Sequence, residues 1–465
     1  MAAGVVNGSC FVRREDGNVL GESRLAEIAQ QVLREAKADQ TEVVISGNDT
    51  HLTRFAVNTI HQNVSETDVS VRVRSILGRK TGVASGNELS RDALRRLVRS
   101  AETTAGLQEE NPELGSLPGP AAAPKVESYV GRTADYAPVE RAQGVEKILK
   151  MSRKNRLDAA GAFSTEALET YVANSRGVSA YHRGTVAGIV TVIMGQDSSG
   201  YACAASIDVD ELDPEAIGRI AVEKALSSRN PTPIEPGEYT VILEEAAVGD
   251  MLFFLGWMGL GALSVQEGRS FMNDKFGQRI TGEDVTIWDD GSDPRGLPLP
   301  FDFEGVPRQK VTLIENGVAQ GVVYDTFTAG REKGKTSTGH SLPAPNTAGP
   351  IPLNLFMAPG TTSKEEMLAS TRRGIWVTRF HYTNILHPVQ TILTGMTRDG
   401  TYLIENGKIV RPLRNLRFTQ SILEAFSNIE ALGKDLVLLK DEWNSIGTCA
   451  PAAKIRDFRF TGTTD

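Results

Sequence analysis

Apolar and polar positions alternate along the N-terminal part of the chain in an order that predicts a helix, several strands and a second helix. Between Ser23 and Ala36 the apolar residues recur at the spacing of an amphipathic helix, at Leu25, Ile28, Ala29, Val32 and Leu33. Segments 41–46, 52–60 and 69–73 then read as successive strands, and Ser90 can cap a second helix. Residues 23–108 are therefore predicted to form an α/β unit, preceded by a lead-in at 1–22.

The pattern breaks at residues 109–124, EENPELGSLPGPAAAP, where proline and glycine replace periodic apolar residues. Such a composition predicts an exposed, semi-extended linker. A central α/β segment is predicted for residues 125–235, with strands near 162–172 and 179–194.

Residues 236–465 are predicted to form a C-terminal domain made mostly of strands and loops. The pentapeptide Leu-Ile-Glu-Asn-Gly occurs at 313–317 and again at 403–407. Asn-Gly between apolar runs predicts a hairpin, because both central positions of the turn need a positive φ. A last helix is expected near 419–432. The fold class is therefore α+β, with an N-terminal α/β unit followed by a β-rich, largely antiparallel C-terminal domain.

Charge and cysteine content narrow the possible partners and the compartment. The 465 residues carry a net charge of -8 and have no long Lys/Arg cluster, which argues against nucleic acid or a membrane surface as the partner. Small molecules or peptides remain as the possible binding partners. Cys10, Cys203 and Cys449 are far apart and form no CxxC pair, which is typical of a reducing compartment. With no signal-peptide pattern at the N-terminus, the sequence predicts a cytoplasmic protein.

The stretch 236–272, PGEYTVILEEAAVGDMLFFLGWMGLGALSVQEGRSFM, combines a short strand with an apolar helix. Alternation over 238–243 predicts the strand. The helix is expected to begin near Glu244, where two successive carboxylates suit the positive end of the helix dipole. Its glycines predict a segment that is either flexible or closely packed.

This stretch resembles the TldD/TldE (PmbA, modulator of gyrase) family. Four other blocks occur in the family's order, namely TDVSVRVRS with GRKTGVASGNELS, then ANSRGV, FDFEGVPRQKVTLIENGVAQGVVYD and DGTYLIENGKIVRP. The resemblance covers about residues 23–463. Active members are zinc metallopeptidases whose helix carries His-Glu-x-x-x-His. The two histidines bind zinc, the glutamate is the general base and a late cysteine is a further ligand.

Aligning Ala247-Val248-Gly249 with the family pattern places Glu245 and Asp250 at the two histidine positions and Ala246 at the base. The resemblance therefore implies no catalytic residue and no cofactor in this chain, with zinc held by a partner. It places the chain on the TldE/PmbA side, as the non-catalytic subunit of a zinc metallopeptidase. The implied assembly is a heterodimer with a TldD-like catalytic subunit, or a homodimer, around a chamber that accepts extended, unfolded or leader-bearing peptides.

Two other functions remain open at this point. The chain could be an active metallopeptidase with a non-standard metal site built from Glu245, Asp250 and Cys449, or a peptide-binding protein without catalysis. The simpler interpretation of the two carboxylates is that they stabilise the helix start and face solvent, and that of Cys449 is a buried, inert thiol. The histidines His340, His381 and His387 are interpreted as surface, loop or substrate-contacting residues.

Overall fold

A computed structural model describes residues 19–440 and 447–463. Cys10 and most of the predicted lead-in lie outside the described residues. The α+β class is confirmed, because helices and mainly antiparallel sheets share the chain. Within the described ranges, every helix is too short or too polar for a bilayer crossing.

The elements before residue 236 follow one another as helices and long strands. The first group is α1 Glu22–Glu35, β1 Gln40–Ala56, β2 Thr59–Leu77, β3 Lys80–Gly86 and α2 Arg91–Leu107. After the predicted linker come α3 Gly131–Ala134, α4 Pro138–Lys154, β4 Asp158–Asn174, β5 Ser179–Met194, β6 Ser199–Ser206, a 3-10 turn at Val209–Glu211 and α5 Pro214–Ser227.

Over the described residues, strands from both sides of the predicted linker form one six-stranded antiparallel sheet in the order β3-β2-β1-β4-β5-β6. β1 pairs with β2 on one side and with β4 on the other. The prediction of separate strands at 41–46 and 52–60 was wrong, because β1 runs without a break from Gln40 to Ala56. β2 and β4 are hydrogen-bonded to β1 along its two edges, and this pairing holds the intervening residues in one strand.

The two faces of this sheet have different roles. Odd-numbered side chains of β1 and β4, such as Phe55 and Phe163, pack against the helices and form hydrophobic cores with them. Even-numbered side chains face the C-terminal part of the chain, and at one end Val44 and Val172 pack against Phe301. Because strand side chains alternate between faces, the rest of the even-numbered face can line a cleft.

The C-terminal part contains short helices and many strands. They are β7 Gly237–Leu243, α6 Glu245–Gly259, α7 Ala262–Gln266, β8 Ile287–Asp289, β9 Val311–Glu315, β10 Val318–Ala319, α8 Thr326–Gly330, β11 Asn354–Met357, α9 Lys364–Ala369, β12 Arg373–His387, β13 Ile392–Glu405, β14 Lys408–Pro412, β15 Leu416–Ser421, α10 Ile422–Ser427, β16 Ile429–Leu432, β17 Val437–Lys440, β18 Gly447–Ala450 and β19 Ala453–Thr463.

The hydrogen-bonded strands follow one another in space in the order β12-β7-β19-β15-β13. Because β13 also pairs with β12, these described strands close into a barrel. Only the β12 to β7 pairing in this ring is parallel. The rings of Phe380, Phe418 and Phe458 meet in the barrel core, with centroids 4.3 to 5.9 Å apart. A second sheet has the order β10-β9-β8-β11-β18-β17.

Both Asn-Gly hairpins are confirmed. Asn316 and Gly317 link β9 to β10, Asn406 and Gly407 link β13 to β14, and all four residues have positive φ. The single helix expected near 419–432 was wrong, because that stretch divides into β15, α10 and β16. The barrel strand β19 pairs with both β15 and β16, and this pairing limits the helix to the six residues between them.

Trypsin should cut early after Lys125, at the end of the predicted linker. Residues 119–127 have no regular secondary structure, and Lys125 is exposed. The two fragments should remain together on size exclusion, since β1 and β4 stay paired. The variant Lys125→Gln should lose this cut while keeping the others. Early cleavage within α4 or β4, with Lys125 protected, would show that the linker boundary is wrong.

Candidate functional site

A cleft of about 900 Å³ lies between the even-numbered face of the N-terminal sheet and helix α6. The sheet contributes alternate residues of β1, β4, β5 and β6 to one wall. The opposite wall consists of α6, the middle of β12, and strand β17. The site is thus formed by parts of the chain that are far apart in sequence.

Small side chains alternate with larger ones, such as Leu52, Arg54 and Tyr201, on the sheet wall. Ala162 and Ser164 of β4, Gly188 of β5, and Cys203 and Ala205 of β6 all line the cleft. A Cβ placed on Gly188 would approach no atom closer than 3.6 Å, the nearest being the hydroxyl of Ser164. This wall therefore leaves open space above the sheet.

Helix α6 is positioned by strand β7, which is hydrogen-bonded to β12 and β19 on its two sides. The Glu244 amide at the helix start donates to the Val377 carbonyl of β12 at 3.0 Å. Gly249 allows close packing on β17, because a Cβ there would lie 2.0 Å from the Leu439 side chain. Of the two possibilities for the glycines, the structure supports close packing at this position.

The two carboxylates at the start of α6 are both engaged in ion pairs. Glu244 accepts a hydrogen bond from the Lys224 ammonium at 2.6 Å and from the Trp376 indole at 2.7 Å. Glu245 accepts from the Lys364 ammonium at 2.9 Å and is 8% exposed. The interpretation that Glu245 faces solvent was therefore wrong, because α9 covers it and supplies a cation.

Asp250 and Ala246 lie one helical turn apart on α6, and both line the cleft. The Thr383 hydroxyl of β12 donates to the Asp250 carboxylate at 2.5 Å. Burial raises the pKa of Asp250 to about 6, although this hydrogen bond and Arg379 oppose the shift. Asp250 is thus a partly desolvated carboxyl group within the cleft.

Cys449 lies on β18 and is 1% exposed. Its thiol donates to the Arg295 carbonyl at 3.4 Å, and burial raises the pKa of Cys449 to about 12. These features agree with a buried, inert thiol. Across the described residues, no three His, Cys, Asp or Glu side chains are grouped to hold a metal. The structure therefore does not bring Glu245, Asp250 and Cys449 together as a metal site.

The three histidines have different environments. His381 lines the cleft, while His387 is exposed and accepts from the Gln390 amide. His340 is fully buried and bonds to Asp289 at 2.8 Å. His340 lies in a loop, as expected, but this loop folds into the protein interior, so His340 is not a surface residue.

Aromatic residues on the helix side of the cleft were not recognised from the sequence. Phe253 and Phe254 on α6 form an edge-to-face pair with centroids 5.4 Å apart. Tyr382 interrupts the register of β12 and β13, has a φ of 56° and is 76% exposed. The run FFLGW could have indicated these residues, because it places more aromatic side chains around the helix than a single buried face can hold.

The fold and cleft define an α+β protein in which a helix beginning with carboxylates forms one wall of a cleft. Family models for the PmbA/TldA metallopeptidase match all three parts of the chain. Domain 1 matches residues 41–105, the central domain matches 135–229 and the C-terminal domain matches 236–462. The chain belongs to the TldD/TldE/PmbA family.

Curated relatives are similar over most of their length. A metalloprotease TldD homolog of Buchnera aphidicola subsp. Acyrthosiphon pisum is 28% identical over 444 residues, covering 85% of this chain and 87% of the relative. The metalloprotease PmbA of Escherichia coli O157:H7 is 24% identical over 424 residues, covering 87% and 89%.

Solved structures show the same fold. TldE from Thermococcus kodakarensis superposes with a TM-score of 0.86 at 20% identity, over 94% of this chain and 100% of that chain. A putative modulator of a DNA gyrase from Thermotoga maritima gives a TM-score of 0.83 at 22% identity, over the same 94% and 100%.

Replacing Asp250 with asparagine should stabilise the protein at neutral pH by about 1–2 kcal/mol, after allowance for partial solvent access. The folded-state pKa near 6 exceeds the ordinary value of 3.8, so the folded state retains a proton that the unfolded chain releases. Wild-type stability therefore falls as pH rises from about 4 to 6, and the advantage of Asp250→Asn should vanish below pH 4. Urea unfolding at several pH values measures this, and a pH-independent difference would contradict it.

Proposed function

We propose that this chain is a TldE/PmbA-like non-catalytic subunit of a zinc metallopeptidase that processes or degrades unfolded or leader-bearing peptides. The observation that carries the proposal is the side-chain set on α6. The positions that resemble the family's zinc-binding histidines hold Glu245 and Asp250, and the position of the general base holds Ala246.

These side chains do not fit a catalytic zinc centre. Zinc in peptidases is held by imidazole, thiolate and carboxylate ligands that converge on one point, with a base beside the bound water. Ala246 cannot accept a proton. The Lys364 ammonium sits 2.9 Å from the Glu245 carboxylate, where it repels a divalent cation. Asp250 then remains as a single carboxylate ligand, which is too few for a zinc site.

The missing chemistry is assigned to a partner. In this proposal a TldD-like catalytic subunit holds zinc and forms a heterodimer with this chain, and a homodimer is the alternative assembly. Relatives named as TldD and PmbA metalloproteases, aligned over 85% or more of this chain, support a peptidase-related role. A cytoplasmic location, without nucleic acid or membrane partners, belongs to the same proposal.

Peptide binding is supported by the shape of the cleft. Strand β17 borders the cleft and is the last strand of its sheet, paired with β18. No second strand of the described residues is hydrogen-bonded to β17, although β6 packs close to it. An extended peptide could add there through main-chain hydrogen bonds, which tolerate many sequences.

A second candidate is a peptide-binding protein that acts without a catalytic partner. The cleft supports this function equally, since its walls do not depend on a metal. The two candidates differ in what co-expression with a TldD-type chain does to peptide cleavage.

The test compares cleavage of an unfolded peptide by three preparations. They are the variant Glu245→His/Ala246→Glu/Asp250→His alone, the wild-type chain paired with a TldD-type chain, and the TldD-type chain alone. The pair should form a stable heterodimer and exceed the catalytic chain alone. The variant should fall at least about tenfold below the pair, because zinc sites also need outer groups that orient each ligand.

Full activity of the variant alone would contradict the proposal. So would an unchanged rate when the wild-type chain is added to the catalytic chain. A variant of the pair in which this chain carries Asp284→Asn, an exposed carboxylate away from the cleft, is the matched control.

A further inference from the structure

Asp250 presents a carboxylate to the cleft without a cationic side chain against it. No lysine, arginine or histidine of the described residues lies within ion-pair distance of this carboxylate, whereas Glu244 and Glu245 each have a lysine. Thr383 supplies one hydrogen bond, and a carboxylate can accept several more. A partly desolvated carboxylate with spare acceptor capacity favours a cation from outside the chain.

The cationic groups around the cleft form no ion pair with Asp250, although Arg379 is near enough to lower the pKa of its carboxyl group. Arg379 bonds to Asp399 at 2.5 Å and stacks over Tyr201, with its guanidinium carbon 4.4 Å from the ring centroid. Lys440 pairs with Glu166. Arg54 on β1 also lines the cleft but forms no ion pair with Asp250 in the described structure.

Two aromatic residues line the same cleft as this carboxylate. Phe253 follows Asp250 by one turn of α6, and Tyr382 directly precedes the Thr383 that bonds to Asp250. Tyr382 holds a left-handed backbone conformation that is unfavourable for a tyrosine, yet its side chain stays 76% exposed at the cleft. The backbone strain at Tyr382 is not offset by burial of its side chain, and uncompensated strain of this kind indicates a role in contacting a ligand.

The opposite wall gives room for a long side chain. Ala162, Ser164 and Gly188 are small, and no atom blocks the space above Gly188. A lysine or arginine side chain could lie with its methylene groups against this wall and its charge toward α6. Aromatic rings beside a carboxylate are a common way to bind such a cation.

We propose that the cleft of this chain binds a lysine or arginine side chain of an extended peptide, with Asp250 as its counter-ion and Tyr382 and Phe253 flanking it. This inference rests on the proposed function, and it adds a specificity that main-chain pairing along β17 would not supply. The residues act in binding and take no part in bond cleavage.

The stability cost expected for the Asp250 carboxylate agrees with this role. At neutral pH the group is ionised although burial raises its pKa to about 6, so asparagine would serve the fold better. Side chains that cost stability are typical of binding sites.

The test uses three short, unstructured, fluorescently labelled peptides that differ at one central position, which is lysine, norleucine or glutamate. Dissociation constants for the full-length chain are measured by anisotropy at neutral pH. The lysine peptide should bind about tenfold tighter than the norleucine peptide, the usual size of a charge-assisted interaction. Asp250→Asn should remove this preference, and it should fold, since it is expected to be more stable than the wild type.

Two controls separate the site from general charge effects. Asp284→Asn removes an exposed carboxylate outside the cleft and should keep the preference for lysine. Tyr382→Ala should weaken binding of the lysine peptide, and Tyr382→Phe should restore it because the ring is kept.

Equal binding of all three peptides to the wild type would overturn this inference and leave the proposed function standing. A preference for glutamate, or loss of the lysine preference in Asp284→Asn as well, would also overturn it. Failure of every peptide to bind would overturn both this inference and the peptide-binding part of the proposed function.

Discussion

Strand β7 and helix α6 fix the geometry of the candidate site. β7 is hydrogen-bonded along both edges inside the closed barrel, so the helix that leaves its last residue has a defined direction. The Glu244 amide extends this order by bonding to β12 at 3.0 Å. Val248 and Leu252 of α6 are buried in the core of the C-terminal part, whereas Ala246, Gly249 and Asp250 of the same helix line the cleft. A small set of positions on α6 therefore decides what the cleft can do.

The charges on α6 fall into two groups with different consequences. Glu244 and Glu245 are neutralised by Lys224 and Lys364, so they join α6 to α5 and α9 and stabilise the arrangement of the domains. Asp250 has no such partner among the described residues and faces the cleft. The two positions that the resemblance aligns with the family's histidines thus hold one carboxylate in an ion pair, Glu245, and one carboxylate open to the cleft, Asp250. This division is the basis for assigning catalysis to a partner and recognition of a cation to this chain.

Much of the fold could be predicted from the sequence because local chemistry and periodicity agree. The Asn-Gly hairpins need positive φ at both turn residues, and Ser90 caps its helix as expected. Predictions failed where pairing partners far away in sequence decide the outcome. The sequence indicated separate strands at 41–46 and 52–60, but pairing with β2 and β4 holds these residues in one continuous strand.

The candidate site was predictable only in part for the same reason. The resemblance identified Glu245, Ala246 and Asp250, yet the burial of Glu245 against Lys364 depends on α9, more than a hundred residues away. Similarly, His340 is the loop residue that the sequence indicated, but the sequence did not show that this loop is buried with His340 bonded to Asp289. Tyr382 lies at an irregularity in the register of β12 and β13, and a sequence pattern does not show such an irregularity.

The central claim, that this chain has no zinc centre of its own, is tested most directly by metal analysis of the purified protein after incubation with zinc and dialysis. A TldD-type chain treated in the same way serves as the reference. The account predicts that this chain retains far less than stoichiometric zinc. One tightly bound zinc per chain, lost in the variant Cys449→Ala, would contradict it.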